Sequence, residues 1–192
     1  MRYNIKEVEN IYRYISNIHD KLYMGIYILK INDIYYVGET INYSSRFRGH
    51  IRDLQKGVHH NFTLQKEYDK THDINNIICY IDPMYTKERK FYSDFELLLS
   101  NIMLLAYEKY TILSLKSNGK NVINIENTYN KIYNKASNEL AQIMDLIYFI
   151  ICENYKETMK TIYDYIMSIC DEFSFDKNAL IAEFHQLINM KT

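Results

Sequence analysis

Two tyrosines, an arginine and a histidine, set within one short stretch, hold the chemistry most readily seen in this sequence. Tyr27 lies in "GIYILKI" and Tyr36 in "IYYVGET", two β-rich runs separated by the turn-forming pair Asn32-Asp33. A two-residue turn there sets Ile31 opposite Ile34, Leu29 opposite Tyr36 and Tyr27 opposite Gly38. Tyr27 and Tyr36 then share one face as diagonal neighbours, roughly 7–8 Å apart at the backbone. Their hydroxyls could converge on one ligand, and Gly38 would leave open space where a backbone or phosphate could approach. Tyrosines in strands commonly do no more than cover a sheet. The residues that follow shift that balance. Arg46 and His50 stand four apart on the next expected helix, at the border of its apolar stripe of Phe47, Ile51 and Leu54, so they point together. Arginine suits a phosphate because its planar fork donates parallel hydrogen bonds, and histidine can carry a proton near neutral pH. Arg48 and Arg52 occupy another face, as solvated residues or as contacts to a nucleic-acid backbone; Lys56 follows them as a further candidate for such contacts.

These side chains need elements to hold them. With 47% hydrophobic residues, one proline (Pro83) and 5 glycines in 192 residues, the chain can bury a core and favours long helices over an all-β design. Apolar spacing predicts a helix over 5–20, strands over "MGIYILKI" and "IYYVGET", and a helix capped by Asn42 or Ser44. A short helix over "NFTLQKEYDK" and a third strand over "NNIICYID" complete this part. Residues 84–92 read as a charged loop or helix start, followed by a long helix from Ser93 to Lys116 with Gly119 as its C-cap. Later, Met159, Ile162, Ile166, Ile169 and Phe173 form a seam of alternating three- and four-residue steps. Asp176 caps a last helix bearing Leu180, Ile181, Phe184, Leu187 and Ile188.

Three widely spaced cysteines offer neither a zinc module nor a disulfide framework. No signal pattern or bilayer-length apolar run is seen, so the expectation is a cytoplasmic protein without a membrane partner, in a host cytoplasm if virus-encoded. Charge is uneven. From residue 125 onward 6 Lys and Arg face 10 Asp and Glu, a net of −4, while residues 1–124 carry 17 against 14, a net of +3. A nucleic-acid partner would therefore have to meet the first two-thirds of the chain.

Gly25-Ile26-Tyr27, then Tyr36-Val37-Gly38, then Arg46 and His50 together resemble the GIY-YIG nuclease signature. The stretch "SRFRGHIRDLQKGVHHNFTLQKEYDK" further resembles the phage intron-homing members of that superfamily. The resemblance covers roughly residues 24–124. It implies an α/β chain of the α+β kind, a small three-stranded antiparallel sheet flanked by helices, hydrolysing one phosphodiester of DNA per active site. Tyr27 would act as general base or orient the attacking water, a role that needs its pKa lowered from about 10 by the metal, Arg46 or Tyr36. Tyr36 completes the catalytic set. Arg46 would stabilise the phosphorane charge and His50 would assist proton transfer or hold the phosphate. The family glutamate falls on Glu108, flanked one turn away by Leu104 and Ile112, with Glu96 as the alternative. It would hold Mg²⁺ or Mn²⁺, for which one protein carboxylate can suffice. His59 would be an accessory group or a surface-loop histidine, and Asn121 would fix the active-site backbone.

The homing enzymes usually add a basic DNA-binding tail, and this chain departs from them there. Its residues 125–192 are acidic and seamed with apolar positions. They read as a helical C-terminal subdomain following a 1–124 nuclease domain, packed on itself or on that domain. The functional alternative is a surface for a homo-oligomer or a partner protein. A different class of reading stays open for the whole chain: a non-catalytic nucleic-acid-binding or assembly protein that retains the nuclease fold.

Overall fold

The computed structural model describes residues 2–19, 21–81, 86–88, 93–124, 128–153 and 159–189. Strand β1 (Arg2–Asn4) leads directly into helix α1 (Ile5–His19). Asn4 makes the transition: its side chain accepts from the Lys6 N–H while Glu7 reaches back to the Asn4 N–H. Orphan donors at the helix start are thus satisfied reciprocally.

The hairpin of β2 (Tyr23–Ile31) and β3 (Ile34–Thr40) turns at Asn32, whose φ of 52° asparagine tolerates better than most residues. Its register is the one the two-residue turn dictates: Ile31 opposite Ile34, Leu29 opposite Tyr36, Tyr27 opposite Gly38. Helix α2 (Tyr43–Gln55) is capped by Asn42, whose side chain accepts from the Ser45 N–H, and α3 (Phe62–Asp69) by Asn61 in the same way. Strand β4 (Ile78–Ile81) pairs antiparallel with β2, as expected of the third strand.

The sheet is larger than the three-stranded antiparallel one expected. Strand β1 pairs with β4 on one side, and β6 (Asn121–Val122) runs parallel to β3 on the other, giving the order β1-β4-β2-β3-β6. A two-residue β5 (Lys87–Glu88) also pairs with the start of β2, within the span expected to be loop or helix start; the rest of 84–92, apart from Thr86, lies outside the described residues. The added strands are two or three residues long. At that length no period-two pattern can show in a sequence.

The chain divides into two compact units, 1–89 with 111–126, and 90–110 with 127–192. This grouping differs from a break near residue 124. Helix α4 (Asp94–Ser117) spans the change, and residues 102–108 are buried without interruption. A helix apolar on all sides needs cover on all sides.

In the first unit the core gathers Ile5, Val8, Tyr27, Leu29, Ile31, Tyr43, Phe47, Leu54, Leu64 and Ile77 from helices and sheet. In the second, α5 (Thr128–Tyr133), α6 (Asn138–Glu153), α7 (Met159–Glu172) and α8 (Lys177–Asn189) bury Ile143, Ile147, Ile162, Ile166, Leu180 and Phe184. Lys109 of α4 lies over the rings of Tyr129 and Tyr148, 4.3 and 4.1 Å from their centroids. Asp176 caps α8, accepting from the N–H groups of Asn178 and Ala179. The expected α7 seam is displaced: Cys170 is buried at its C-terminal end, whereas Phe173 is 63% exposed. Four-residue steps from Ile162 through Ile166 to Cys170 define the inward face. Among the described residues no helix is long and apolar enough to cross a membrane.

Candidate active site

Tyr27 stands at the centre of the site because its strand partner is a glycine. A Cβ added at Gly38 would lie 2.3 Å from both Cζ and Oη of Tyr27, so no other residue fits beneath that ring. The space over Gly38, expected to be open to a phosphate, is filled by Tyr27 itself. Phe47 of α2 meets the same ring edge-on at 5.2 Å, and Tyr36 lies 6.4 Å away between centroids. The helix buries Tyr43, Ser44, Phe47, His50 and Leu54, which sets Arg46 and His50 over the hairpin, one turn apart.

The polar atoms form one connected chain. Arg46 donates from Nε to the Tyr27 hydroxyl at 2.7 Å and from Nη2 to the Tyr36 hydroxyl at 3.4 Å. His50 Nε2 lies 2.7 Å from the Tyr27 hydroxyl, and its Nδ1 lies 2.7 Å from His59 Nε2. At the far end of this relay His59 Nδ1 lies 3.1 Å from the Asn61 N–H and 3.3 Å from the Asn61 carbonyl, which also accepts from the Gln65 N–H. Each neutral imidazole has one donor and one acceptor nitrogen, so the tautomers of His59 and His50 set the direction of the relay. The Tyr27 oxygen accepts from Arg46 and shares one hydrogen bond with His50 Nε2.

Both histidines are held in the neutral form this relay requires. Burial, with Arg46 and His59 nearby, pushes His50 well below its ordinary value. Burial and the neighbouring His60 bring His59 down to about 4. Tyr27, with no exposed surface, is raised well above 10 by burial, with Tyr36 adding to the rise and Arg46 opposing it. The lowering expected from Tyr36 is thus reversed: a second buried phenol adds to the cost of charge on the first. Burial outweighs the charge and hydrogen bond of Arg46, and Tyr27 rests as a neutral phenol at pH 7.

Beside this network runs a polar cleft of about 430 Å³, lined by Asn42, Ser45, Arg46, Gly49, Arg52 and His60 among others. His60 was not anticipated. Its Nε2 lies 3.1 Å from the Tyr36 hydroxyl, and its ring stacks on His59 at 4.3 Å. Burial and Arg46 lower its pKa. The doubled histidine in "VHHNF", directly before a helix-capping asparagine, was the available signal. Gln65 was also missed: it accepts from the His59 N–H and donates to the Leu54 carbonyl, tying α3 to the end of α2.

The remaining candidates are placed as follows. Arg48 faces Glu9 of α1 at 3.7 Å and Ser44. Arg52 bonds Asp53 at 2.8 Å, and Lys56 is an exposed C-cap. Asn121 is exposed and meets Ile34 only as a strand partner; the asparagine that fixes the backbone beside Gly38 is Asn124, which accepts from the Val37 N–H and donates to its carbonyl. Glu108 and Glu96 lie on α4 in the second unit, Glu108 at 8% exposure. Among the described residues no three or more His, Cys, Asp or Glu side chains gather as a metal-holding group. A hard cation that keeps most of its waters needs only one carboxylate, and Glu108, an acid in a buried run, is chemically suited to that.

No family model, curated protein or solved structure matches this chain.

Proposed function

We propose that this chain is a metal-dependent DNA endonuclease of the GIY-YIG type, hydrolysing phosphodiester bonds for a phage, a mobile element or a defence system. One observation supports this above all: Tyr27, Tyr36, Arg46, His50 and His59, drawn from two strands, a helix and a loop, meet in a single hydrogen-bonded network at the edge of a polar cleft. Arg46 uses Nε and Nη2 on the tyrosines, and its Nη1 has no partner among the described residues. A phosphate in the cleft would receive that N–H pair, and the charge developing on its oxygens would be stabilised by a guanidinium already fixed in place. His50, neutral and locked by His59, holds the Tyr27 oxygen. The charge and short bond of Arg46 favour the anionic form of that oxygen whenever the cost of burial is relieved. Tyr27 thereby orients the attacking water, or accepts its proton as its own phenolic proton passes to His50 Nε2. Glu108 would hold Mg²⁺ or Mn²⁺, which when bound supplies charge stabilisation to the leaving oxygen.

The test is nicking of supercoiled plasmid by the full chain with Mg²⁺ and with chelator, alongside Arg46→Ala. Nicking by wild type alone, lost on chelation, is expected. Intact single- and double-stranded DNA and RNA with either Mg²⁺ or Mn²⁺ would overturn the enzyme reading. The complete burial of Tyr27 favours one second reading, a nucleic-acid-binding protein in which the network is structural. That reading requires DNA binding without cleavage in the same assay.

A further inference from the structure

Helix α2 contains a glycine that its own packing does not require. Gly49 sits mid-helix between Arg48 and His50, its φ is not in the left-handed region, and a Cβ added there would meet nothing within 4 Å. Glycine is the poorest interior helix residue after proline, because it loses the most backbone freedom on folding. Any side chain would suit the helix better. The position nevertheless lies in the wall of the polar cleft, one turn beyond Ser45 and about one turn before Arg52, on a shared helix face. Arg46 and His60 line the same cleft, and the carboxylate of Asp53 beside them is already held by Arg52 at 2.8 Å.

We propose that this cleft seats the sugar–phosphate backbone of a DNA strand, with its closest approach to the protein at Gly49. The proposal rests on the nuclease reading and adds to it the track of the strand. A strand lying along α2 would pass from the hydroxyl of Ser45 over the bare helix at Gly49 to the guanidinium of Arg52. His60, anchored through Nε2 to Tyr36, presents Nδ1 with no hydrogen-bond partner among the described residues. The missing side chain is what lets the strand lie low enough for Arg46 Nη1 to reach a phosphate. A Cβ at 49 would lift the strand while improving the helix, so stability and binding should move in opposite directions.

The full chain and its Gly49→Ala and Gly49→Leu variants are compared for thermal midpoint and for affinity toward a fluorescein-labelled DNA oligonucleotide, with nicking followed in parallel. Gly49→Ala should melt at or a few degrees above wild type and bind at least about tenfold more weakly, as expected for overfilling a fitted contact. Gly49→Leu should bind more weakly still without melting lower. Both variants binding and nicking like wild type would overturn the proposal and leave the nuclease reading intact. A wild-type chain that neither binds nor nicks DNA would overturn both. A loss of binding matched by a fall in melting temperature would make Gly49 a folding residue and also overturn it.

Discussion

Tyr27 is held in place by backbone on one side and by its hydrogen bonds with Arg46 and His50 on the other, and each side can be broken separately. Gly38→Ala would drive a methyl into the phenol at 2.3 Å. The ring cannot withdraw without leaving Arg46 and His50, so a loss of at least about 2 kcal/mol is expected. Urea denaturation would read it; an unchanged midpoint would mean the strand yields instead. Tyr27→Phe keeps the ring and removes only the oxygen. The Arg46 N–H then loses its acceptor and His50 Nε2 its partner, at about 1–3 kcal/mol, and cleavage should fall by roughly a hundredfold or more with DNA affinity little changed. A wild-type rate in Tyr27→Phe would remove that oxygen from the chemistry.

At the scale of elements, the relay ties the end of α2 to the start of α3 through neutral histidines. Burial and His60 hold His59 down to about 4 in the folded chain against an ordinary 6.5, and burial also lowers His50 well below that ordinary value. Between these values the unfolded chain binds more protons than the folded one, so acid favours unfolding. The stability is complete above about pH 6.5 and drains away as pH falls toward 4. Denaturation midpoints taken across that interval should fall steeply in wild type and less so in His59→Gln; parallel slopes would place the acid sensitivity elsewhere. Asn124 fastens the chain after β6 to β3 through both polar groups of Val37. Asn124→Ala should cost about 1–3 kcal/mol and speed hydrogen exchange at the Val37 amide, whereas Asn121→Ala at its exposed position should change little. The contrast shows how far sequence reaches. The hairpin register followed from turn length alone, and the caps at Asn42 and Asp176 followed from local chemistry. Choosing Asn124 over Asn121 required knowing where a two-residue strand docks, and that depends on contacts 87 residues apart. The filled space at Gly38 was hidden for the same reason, since it depends on a side chain arriving from another strand.

Across the whole molecule, the catalytic candidates divide between two units, with the tyrosines, Arg46 and the histidines in one and Glu108 in the other. Glu108→Ala is expected to abolish nicking while circular dichroism retains the wild-type helical signal. Full activity in that variant would move the metal role to Glu96 or to another acid. Residues 125–192 carry a net charge of −4, so they would repel a phosphate backbone, and removing positive charge there should leave DNA affinity unchanged. Exposed Phe149, Tyr165 and Phe173, at 60%, 50% and 63%, leave apolar surface on this unit. Oligomerisation is best measured on the full chain, because cutting at Asn127 would strip α5–α8 from α4 residues that belong to the same unit. A monomer by light scattering would end the homo-oligomer expectation. Motif and charge placed the proposed chemistry in the first 124 residues; they carried no information about which helices α4 joins.

The fit between Tyr27 and Gly38 also constrains how this hairpin could change over time. Neither residue is free to vary alone, because any side chain at 38 is excluded by the ring, and losing the ring leaves a void that glycine cannot fill. Their substitutions should therefore be strongly non-additive: Gly38→Ala, ruinous beside Tyr27, should cost little in a Tyr27→Ala background. Any route to a side chain at 38, or to a residue without a ring at 27, must pass through a destabilised intermediate or change both at once. A ring at 27 and a glycine at 38 would then persist even in a descendant without the proposed activity, as a steric record of the site.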